Sequence, residues 1–346
     1  MDAINVAVVG LGFMGRTHVR AWREVPGTRI AAICDAVRLP LDGDLSGPSG
    51  NYGPGGGPLR LDMTEVKATR NLGDLLADPA IDLIDLCVPT AAHSEAAVTA
   101  LGAGKHVVCE KPLARTSALA RKIVEAAQSA KGLFMPAMCL RFWPQWLWVK
   151  EAVDEGRYGR ALAARFRRAS EPPGWSKDFL DGAKSGGALL DLHIHDADFV
   201  QFCFGRPRAV FATGFTLLSG AIDYVSAIYQ VAGGASVTAE GTWVMTEGHG
   251  FNMAYTFIFE RATVDYDLAR GAKALRLFEK GREPRTISLE GPDGYTAELS
   301  HMVESIRAGR GPSVVTAGDG LGAVEICEAE EESVRTGQIV RLGPHG

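Results

Sequence analysis

The sequence predicts an α/β protein of two domains. Through about residue 140, short apolar runs alternate with helical patterns, as is typical of a doubly wound parallel sheet with helices on both faces. Later runs alternate apolar and polar residues, which indicates an α+β domain with a large, mostly antiparallel open sheet. The 346 residues also exceed what one hydrophobic core usually fills. We therefore expect domains over residues 1–140 and 141–346.

The elements of the N-terminal domain follow in chain order. Apolar runs predict its strands: Ile4–Val9, Arg29–Cys34, Leu83–Val88, Val107–Cys109 and Phe134–Cys139. Helical patterns begin at Phe13, Ser94 and Thr116. Pro40 to Pro58 interrupts the alternation with seven glycines and four prolines. Because it has few apolar residues and no period, we expect this segment to be a flexible surface loop.

The C-terminal domain begins with a helical pattern near Gln145–Glu155. Its predicted strands are Ala161–Arg168, Arg208–Thr216, Tyr224–Val231, Ser236–Val244, Ala254–Glu260 and Thr263–Asp267. The short link at Glu260 to Ala262 predicts a hairpin. A final helix over Gly318–Thr336 is expected to pack back on the body, with the N-terminal domain as one candidate surface, before the short apolar end Ile339–Leu342. Helices on one side of so large a sheet leave the other side for self-association.

Composition excludes several classes of function. The chain is 46% hydrophobic and 22% charged with a net charge of −5, and it has no basic run, which argues against nucleic acid. No apolar stretch reaches the roughly 18 residues that span a bilayer, and no signal peptide precedes the first strand, so we expect a cytoplasmic protein. The six cysteines lack C-x-x-C spacing, which favours core packing over disulfides or a thiolate metal site.

The first strand leads into a glycine-rich turn with the pattern G-x-G-x-x-G. Gly10 permits the tight turn, Gly12 lets backbone N–H groups approach a pyrophosphate, and Gly15 lets the next helix pack closely on the strand. Asp35 ends the second apolar run, where a carboxylate can accept hydrogen bonds from an adenosine ribose. Strand, glycines, helix and acid together predict a dinucleotide-binding Rossmann domain rather than a purely structural turn.

The choice of dinucleotide depends on residues after the second strand. Asp35 repels a 2′-phosphate and favours NAD, whereas Arg38 is able to pair with that phosphate. We therefore expect NAD, with NADP as the alternative. The Pro40–Pro58 segment follows directly, and a lid over the adenosine end of the cofactor is the alternative to a tolerated insertion.

Lys111 follows a predicted parallel strand, at the sheet edge where ligands bind. An ammonium beside the cationic ring of an oxidised nicotinamide has a lowered pKa and becomes competent to exchange a proton near neutral pH. An ordinary surface lysine is the alternative on position alone.

A second polar cluster opens a helix after Gly186 and Gly187. Asp191 and His195 are four residues apart and share a helical face, so the carboxylate can orient an imidazole that trades a proton with a substrate hydroxyl. A structural helix cap is the alternative. His193, His195, Asp196 and Asp198 are potential metal ligands, but the first two point in different directions, so we expect no metal.

Three motifs make the chain similar to the Gfo/Idh/MocA family of nicotinamide-dependent oxidoreductases over nearly its whole length. They are the glycine turn with Asp35, the sequence Cys109-Glu110-Lys111-Pro112, and Gly186-Gly187 followed by Asp191 and His195. Supporting matches are Val88-Pro89-Thr90 with His93, and Arg141-Phe142 with Pro144.

The resemblance implies that Lys111, Asp191 and His195 are the catalytic residues and that the Lys111–Pro112 bond is cis. The cofactor-binding residues implied are Gly10, Gly12, Phe13, Met14, Gly15, Asp35, Arg38, Pro89, Thr90, His93, Glu110 and Lys111. It also implies sugars, inositols or related polyols as substrates, and homodimers or homotetramers built through the open sheet.

The expected substrate contacts are Lys111, Arg141, Trp175, Asp191, His193 and His195. Trp175 follows a turn-rich loop of the kind that positions aromatic rings against sugars, although ordinary surface packing fits it equally well. His193 stands where many members of the family carry a small residue, and we expect it to shape the pocket.

The sequence thus predicts a dehydrogenase that moves hydride between a nicotinamide and a ring hydroxyl or ketone. Lys111 and His195, from separate domains, are expected to converge over one nicotinamide ring, one as the base and the other stabilising charge on the carbonyl oxygen. Two alternatives stay open. One is an NAD-dependent glycoside hydrolase that works by transient oxidation and elimination, and the other is a non-catalytic sensor that binds the dinucleotide.

Overall fold

The computed structural model describes residues 3–47, 57–174 and 179–343. They form two compact units. The first comprises Met1–Phe142 with Pro292–Leu321, and the second comprises Trp143–Gly291 with Gly322–Gly346. Residues 292–321, which the sequence analysis assigns to the C-terminal domain, therefore pack within the first unit.

Each unit is built around one sheet. The strands are β1 (Ile4–Val9), β2 (Thr28–Cys34), β3 (Lys67–Thr69), β4 (Leu83–Leu86), β5 (His106–Glu110), β6 (Phe134–Ala137), β7 (Ala161–Ser170), β8 (Ala209–Phe215), β9 (Tyr224–Gln230), β10 (Ser236–Thr242), β11 (Phe251–Phe259), β12 (Ala262–Asp267), β13 (Leu275–Glu279), β14 (Arg285–Thr286) and β15 (Val340–Arg341). The helices are α1 (Phe13–Glu24), α2 (Leu72–Leu76), α3 (Thr90–Gly102), α4 (Ser117–Ser129), α5 (Pro144–Asp154), α6 (Gly182–Ser185), α7 (Ile194–Phe204), α8 (Gly294–Ala308) and α9 (Ala317–Thr336).

The sheet of the first unit is parallel throughout, in the order β3-β2-β1-β4-β5-β6. This confirms the predicted doubly wound architecture. Helices cover both faces of such a sheet, so its strands are almost continuously apolar. The strand order reverses between β1 and β4, where Val9 pairs with Leu86. Loops that leave this edge open a crevice for ligands.

α3 begins at Thr90 rather than at Ser94, where the apolar pattern starts. Pro89 occupies its N-cap position, and the first turn of a helix tolerates proline because its N–H groups have no partners within the helix. The turn after β4 therefore leads directly into this helix.

The sheet of the second unit is mixed and mostly antiparallel, in the order β14-β13-β12-β11-β7-β10-β9-β8-β15. Among the described strands of this second sheet, only β7 and β10 pair in parallel. The predicted hairpin joins β11 to β12. Along β9, Val225 and Ala227 are buried while Ser226 and Ile228 face outward, so one face of the sheet forms the core and the other is open.

The described part of Pro40–Pro58 lies mostly at the surface, as expected, but Gly43 and Leu45 within it are buried. The backbone N–H of Leu45 donates to the carbonyl of Leu59 at 2.8 Å, and both leucine side chains are buried. Asp44 and Arg60 form an antiparallel bridge beside them. A backbone hydrogen bond between two buried leucines, the second just after the segment, thus ties its ends together, which a count of apolar residues misses. Residues 48–56, and with them any lid, lie outside the described residues.

All six cysteines are free thiols, and five of them are buried, as expected for core packing. Within the described ranges, none of the helices has the length and apolar character that crossing a membrane requires.

Candidate functional site

Two of the three motif glycines are required by the chain itself. Gly10 has φ +89°, and a Cβ built there would lie 2.5 Å from the carbonyl oxygen of Cys87. A Cβ at Gly15 would lie 1.8 Å from the carbonyl oxygen of Gly10. The turn and the close packing of α1 therefore exclude any larger residue at either position, as the sequence predicts.

Gly12 differs, because a Cβ built there would meet no atom of the described residues within 4 Å. Gly12 is the N-cap residue of α1, so no side chain caps the N-terminus of this helix. The first turn of the helix also contains no acidic residue. The partly exposed Phe13 and Met14 begin the helix. The uncapped N–H groups and the positive helix end thus face open space that fits a pyrophosphate.

Asp35 ties the end of β2 to the glycine turn. Its Oδ2 accepts the backbone N–H of Leu11 at 2.7 Å, and its Oδ1 accepts those of Val37 and Arg38 at 2.8 and 2.7 Å. A carboxylate has about four acceptor positions, so one is left for a ribose hydroxyl. The Arg38 side chain is exposed beside it.

His93 joins two turns at the same sheet edge. Its Nδ1 lies 2.8 Å from the carbonyl oxygen of Pro112 and its Nε2 lies 2.9 Å from that of Val88. Burial lowers its pKa, and the two carbonyl oxygens oppose that effect. With 1% of its surface exposed, His93 holds the turn after β4 against the turn after β5. Pro89 and Thr90 begin α3 within the first of these turns.

Lys111 directly follows β5 and is partly exposed. The bond to Pro112 is cis, as the family resemblance implies. The buried Glu110 fixes the backbone here, because its Oε2 accepts the N–H of Lys111 at 2.9 Å.

Behind this turn lies a buried polar cluster that the sequence analysis missed. The Nδ1 of His18, on α1, lies 3.0 and 2.9 Å from the two carboxylate oxygens of Asp85, and its Nε2 lies 3.1 Å from Oε1 of Glu110. Trp22 Nε1 also donates to Asp85 at 2.7 Å. The available signal was Asp85 itself, a charged residue inside an otherwise apolar strand, because such a charge needs a buried partner.

In the second unit, the Asp191 segment is a π-helix, Leu189–His193, that continues as α7. The sequence analysis expects a regular α-helix here. π-helical turns are rare in proteins overall, but those that occur are often found at functional sites. From Ser185 to Val200 every residue is buried except Asp191, Leu192 and His195. The two proposed catalytic side chains therefore remain accessible on an otherwise buried segment.

His193 points into the core of its unit. It is fully buried, with its Nε2 3.1 Å from the hydroxyl of Tyr229 and 3.3 Å from Glu330. Burial lowers its pKa, but the Glu330 carboxylate outweighs this and the net shift is upward. A Cβ at Gly241 would lie 2.5 Å from that of His193, so the π-helix sits directly on β10.

The acids that follow have partners of their own. Asp196 binds Arg168 through both carboxylate oxygens at 2.8 and 3.2 Å, which fastens α7 to β7. Asp198 accepts from Gln201 at 3.0 Å. These contacts explain the acids without a metal ion.

Of the remaining expected substrate contacts, Arg141 is 2% exposed. Its guanidinium donates to the carbonyl oxygen of Val314 at 2.7 Å and lies 3.3 Å from Asp319, all within the first unit. Trp175 lies outside the described residues.

Two family profiles match the chain and together cover well over half of it. Residues 59–138 match the oxidoreductase family with an NAD-binding Rossmann fold, and residues 146–265 match the GFO/IDH/MocA C-terminal domain.

Two dehydrogenases are among the proteins similar to this chain, one over its full length and one over part of it. The chain is 27% identical to inositol 2-dehydrogenase of Rhizobium meliloti over 359 residues, which cover 96% of this chain and 97% of that protein. It is 30% identical to levoglucosan dehydrogenase of Pseudarthrobacter phenanthrenivorans over 218 residues, which cover 61% of this chain and 53% of that protein.

The fold is similar to that of a solved levoglucosan dehydrogenase in complex with NADH and levoglucosan. The TM-score is 0.85 with 22% sequence identity, over 98% of this chain and 99% of that one. Fold, motif geometry and both profile matches agree, and the chain belongs to the Gfo/Idh/MocA family of oxidoreductases with an NAD-binding Rossmann domain.

Proposed function

We propose that this protein is an NAD-dependent dehydrogenase that transfers hydride between the nicotinamide and a ring hydroxyl or ketone of a sugar, inositol or related polyol. The full-length similarity to inositol 2-dehydrogenase supports this substrate class. The observation that carries the proposal is the open space at Gly12, in front of an uncapped helix end, because none of the described residues fills it.

We propose Lys111, Asp191 and His195 as the catalytic residues. NAD, when bound, accepts or returns the hydride. In oxidation, one of Lys111 and His195 takes the hydroxyl proton and the other hydrogen-bonds to the oxygen that becomes the carbonyl. Asp191 orients its partner by hydrogen bonding. The partial exposure of all three side chains supports these roles.

Arg141 and His193 enter the proposal as positioning residues rather than substrate contacts. Both side chains are buried and bound to partners within their own units. Arg141 holds the start of α9, and His193 seats the π-helix on the sheet.

We propose NAD as the preferred cofactor because the Asp35 carboxylate stands where a 2′-phosphate would be repelled. Binding of NADP would then rely on the exposed Arg38. Titration of the protein with NADH and with NADPH measures this preference directly, and tighter NADPH binding would reverse the assignment.

The decisive experiment is a panel of inositols, sugars and sugar acids, each incubated with NAD while NADH absorbance is recorded. The proposal predicts that NADH accumulates in step with substrate consumption. A glycosidase that recycles its cofactor would release product without net NADH. A sensor would bind NADH and turn over nothing.

We further propose that the protein is a homo-oligomer joined through the open face of its second sheet, and that it works in the cytoplasm. Ile228 on that face is 55% exposed and lies between Phe211 and Thr238 of the neighbouring strands. Exposed apolar side chains in a row are typical of an interface. The free thiols suit a reducing compartment.

A further inference from the structure

The buried polar cluster of His18, Asp85 and Glu110 brings three ionisable side chains together in the interior of the first unit. His18 and Asp85 are fully buried, and Glu110 is nearly so. Burying charges is costly, and removing one partner of such a set leaves another charge uncompensated. The cluster joins α1, β4 and β5, and its last member accepts the backbone N–H of Lys111.

We propose that Asp85, His18 and Glu110 form a positioning chain that holds the backbone at Lys111 and keeps a negative charge beside its amine. The inference rests on the proposed catalytic role of Lys111 and adds the groups that prepare it. Each link is a contact of hydrogen-bond length: 2.9 Å from Asp85 to His18, 3.1 Å from His18 to Glu110, and 2.9 Å from Glu110 to the Lys111 N–H.

His18 lies between two acids, and when both are carboxylates each ring nitrogen donates a hydrogen bond. A neutral imidazole donates only one, so this arrangement favours the imidazolium form. Burial lowers the pKa of His18, but the Asp85 carboxylate outweighs it, and the pKa lies well above the ordinary value. The imidazolium in turn helps to hold the pKa of Glu110 below its usual value despite burial.

The ionisable groups that surround His18 and Glu110 within this unit come from α8 and from the residue after β4. From α8, Glu298 is fully buried, neither carboxylate oxygen has a hydrogen-bond partner among the described residues, and its nearer oxygen is 3.9 Å from His18. Burial raises the pKa of Glu298 well above its usual value, which favours the neutral form of this carboxyl. Burial also raises the pKa of Tyr295 on α8 and of Cys87 after β4, which keeps both groups neutral.

His93, from α3, is the remaining ionisable group beside the turn. Burial lowers its pKa, and it binds the backbone of Pro112 rather than the acids. Among the described interactions, the Glu110 carboxylate is the charge that interacts with Lys111, and the lysine in turn helps to lower the pKa of Glu110.

A metal site is the competing explanation, because ligand atoms of His18, Asp85 and Cys87 lie within 4.8 Å of one another. Direct hydrogen bonds already use the His18 nitrogens, and burial keeps the thiol of Cys87 protonated. A metal ion would need to displace the hydrogen bonds of His18 and to deprotonate the thiol of Cys87.

The test compares two identical substitutions in the full-length protein, Glu110→Gln and Glu298→Gln. Glutamine keeps the side-chain volume, but only one of its two terminal atoms accepts a hydrogen bond, so Glu110→Gln loses one contact and the charge. Loss of a neighbouring carboxylate lowers the pKa of an ammonium by about one unit. Competitive acetylation of Lys111, measured by mass spectrometry over a pH series, reports that pKa without any turnover.

We expect Glu110→Gln to move the Lys111 titration midpoint down by about one pH unit. In the pH profile of kcat, the limb that reports the ionisation of Lys111 should move to lower pH as well. The factor by which kcat falls should exceed the factor by which the KM for NAD rises. Glu298→Gln should leave the midpoint and the profile unchanged, because no described contact joins this carboxyl to Lys111. Equal midpoints in Glu110→Gln and the unsubstituted protein would overturn the proposal.

A second measurement uses the unsubstituted protein, so that the proposal can be tested even if a variant does not fold. Nitrogen-15 spectra of labelled histidine rings should show both nitrogens of His18 protonated at pH 7 to 8. A neutral His18 ring, or a stoichiometric metal in the purified protein, would overturn the inference. Unchanged turnover after replacement of Lys111, together with a shifted midpoint in Glu110→Gln, would instead refute the proposed role of Lys111 and leave the chain intact.

Discussion

At the scale of single residues, exposure separates groups that are free to meet a substrate from groups that hold the site together. Asp191 and His195 are the accessible ionisable residues on a buried helical segment, whereas His193 between them is completely enclosed. Lys111 is likewise partly exposed between the buried Glu110 and Pro112. Residue type alone does not distinguish these cases.

Replacement of Lys111 by alanine should preserve NADH binding and lower kcat by about 100-fold or more, because a positioned proton-transfer group contributes at least that much. Steady-state kinetics and NADH fluorescence titration measure the two effects. Lys122→Ala, at an exposed position on α4, is the matched control and should retain full activity. Full activity of Lys111→Ala would remove this lysine from the mechanism.

The buried His18 should also make stability depend on pH. Its pKa is raised in the folded state, so its contribution to the free energy of unfolding is complete below about pH 6.5 and is lost as the pH rises through the higher folded value. Urea unfolding between pH 6 and pH 10 should therefore show stability declining with pH. The decline should be smaller in His18→Gln, and identical slopes for the two proteins would contradict this assignment.

At the scale of elements, the glycine turn combines two different constraints in six residues. Gly10 and Gly15 satisfy contacts between β1, α1 and the turn after β4, whereas Gly12 leaves space in front of a helix end. Gly10 and Gly15 are needed for packing, and we propose that Gly12 is needed to bind the cofactor. The sequence pattern shows the three glycines as equivalent.

Alanine substitutions should separate these constraints. Gly12→Ala is expected to leave the melting temperature within a degree or two and to weaken NADH binding at least tenfold, because the added methyl occupies space reserved for the pyrophosphate. Gly15→Ala should lower the melting temperature strongly, since its methyl would overlap a backbone oxygen. Gly102→Ala, on α3 and equally unobstructed, controls for helix propensity. Unchanged NADH affinity in Gly12→Ala would show that the space is not the pyrophosphate site.

At the scale of the whole molecule, the open face of the second sheet is the feature that a single chain leaves uncovered. Side chains facing outward there mix apolar groups such as Ile228 and Ile258 with charged ones such as Arg165 and Asp265. Such mixed surfaces suit a symmetric interface, in which each apolar patch meets its own copy.

Ile228→Glu should convert the oligomer to smaller species, because it places a charge at the centre of the proposed interface. Light scattering after gel filtration measures the mass. Val98→Glu, at an exposed apolar position on α3, should leave the mass unchanged. A monomeric unsubstituted protein would refute the proposed interface.

Local patterns were enough to predict much of this protein. Alternating runs located most strands of both sheets, and glycine spacing located the dinucleotide turn, because each signal lies within a few neighbouring residues. β3, β13 and β14 were missed because they are short or lack a strong pattern. α8 was missed although Asp293 caps its start and Gly309, with φ +60°, ends it.

The sequence by itself determined the fold class, the dinucleotide turn and the identity of the proposed catalytic side chains. Only the tertiary structure decided which polar residues support them. His18 meets Asp85 across 67 positions and Glu110 across 92, and Arg141 reaches Val314 across 173. Such contacts produce no recognisable spacing pattern in the sequence. They arise when helices and strands that are distant along the chain pack together, and the tertiary fold decides which of them become neighbours.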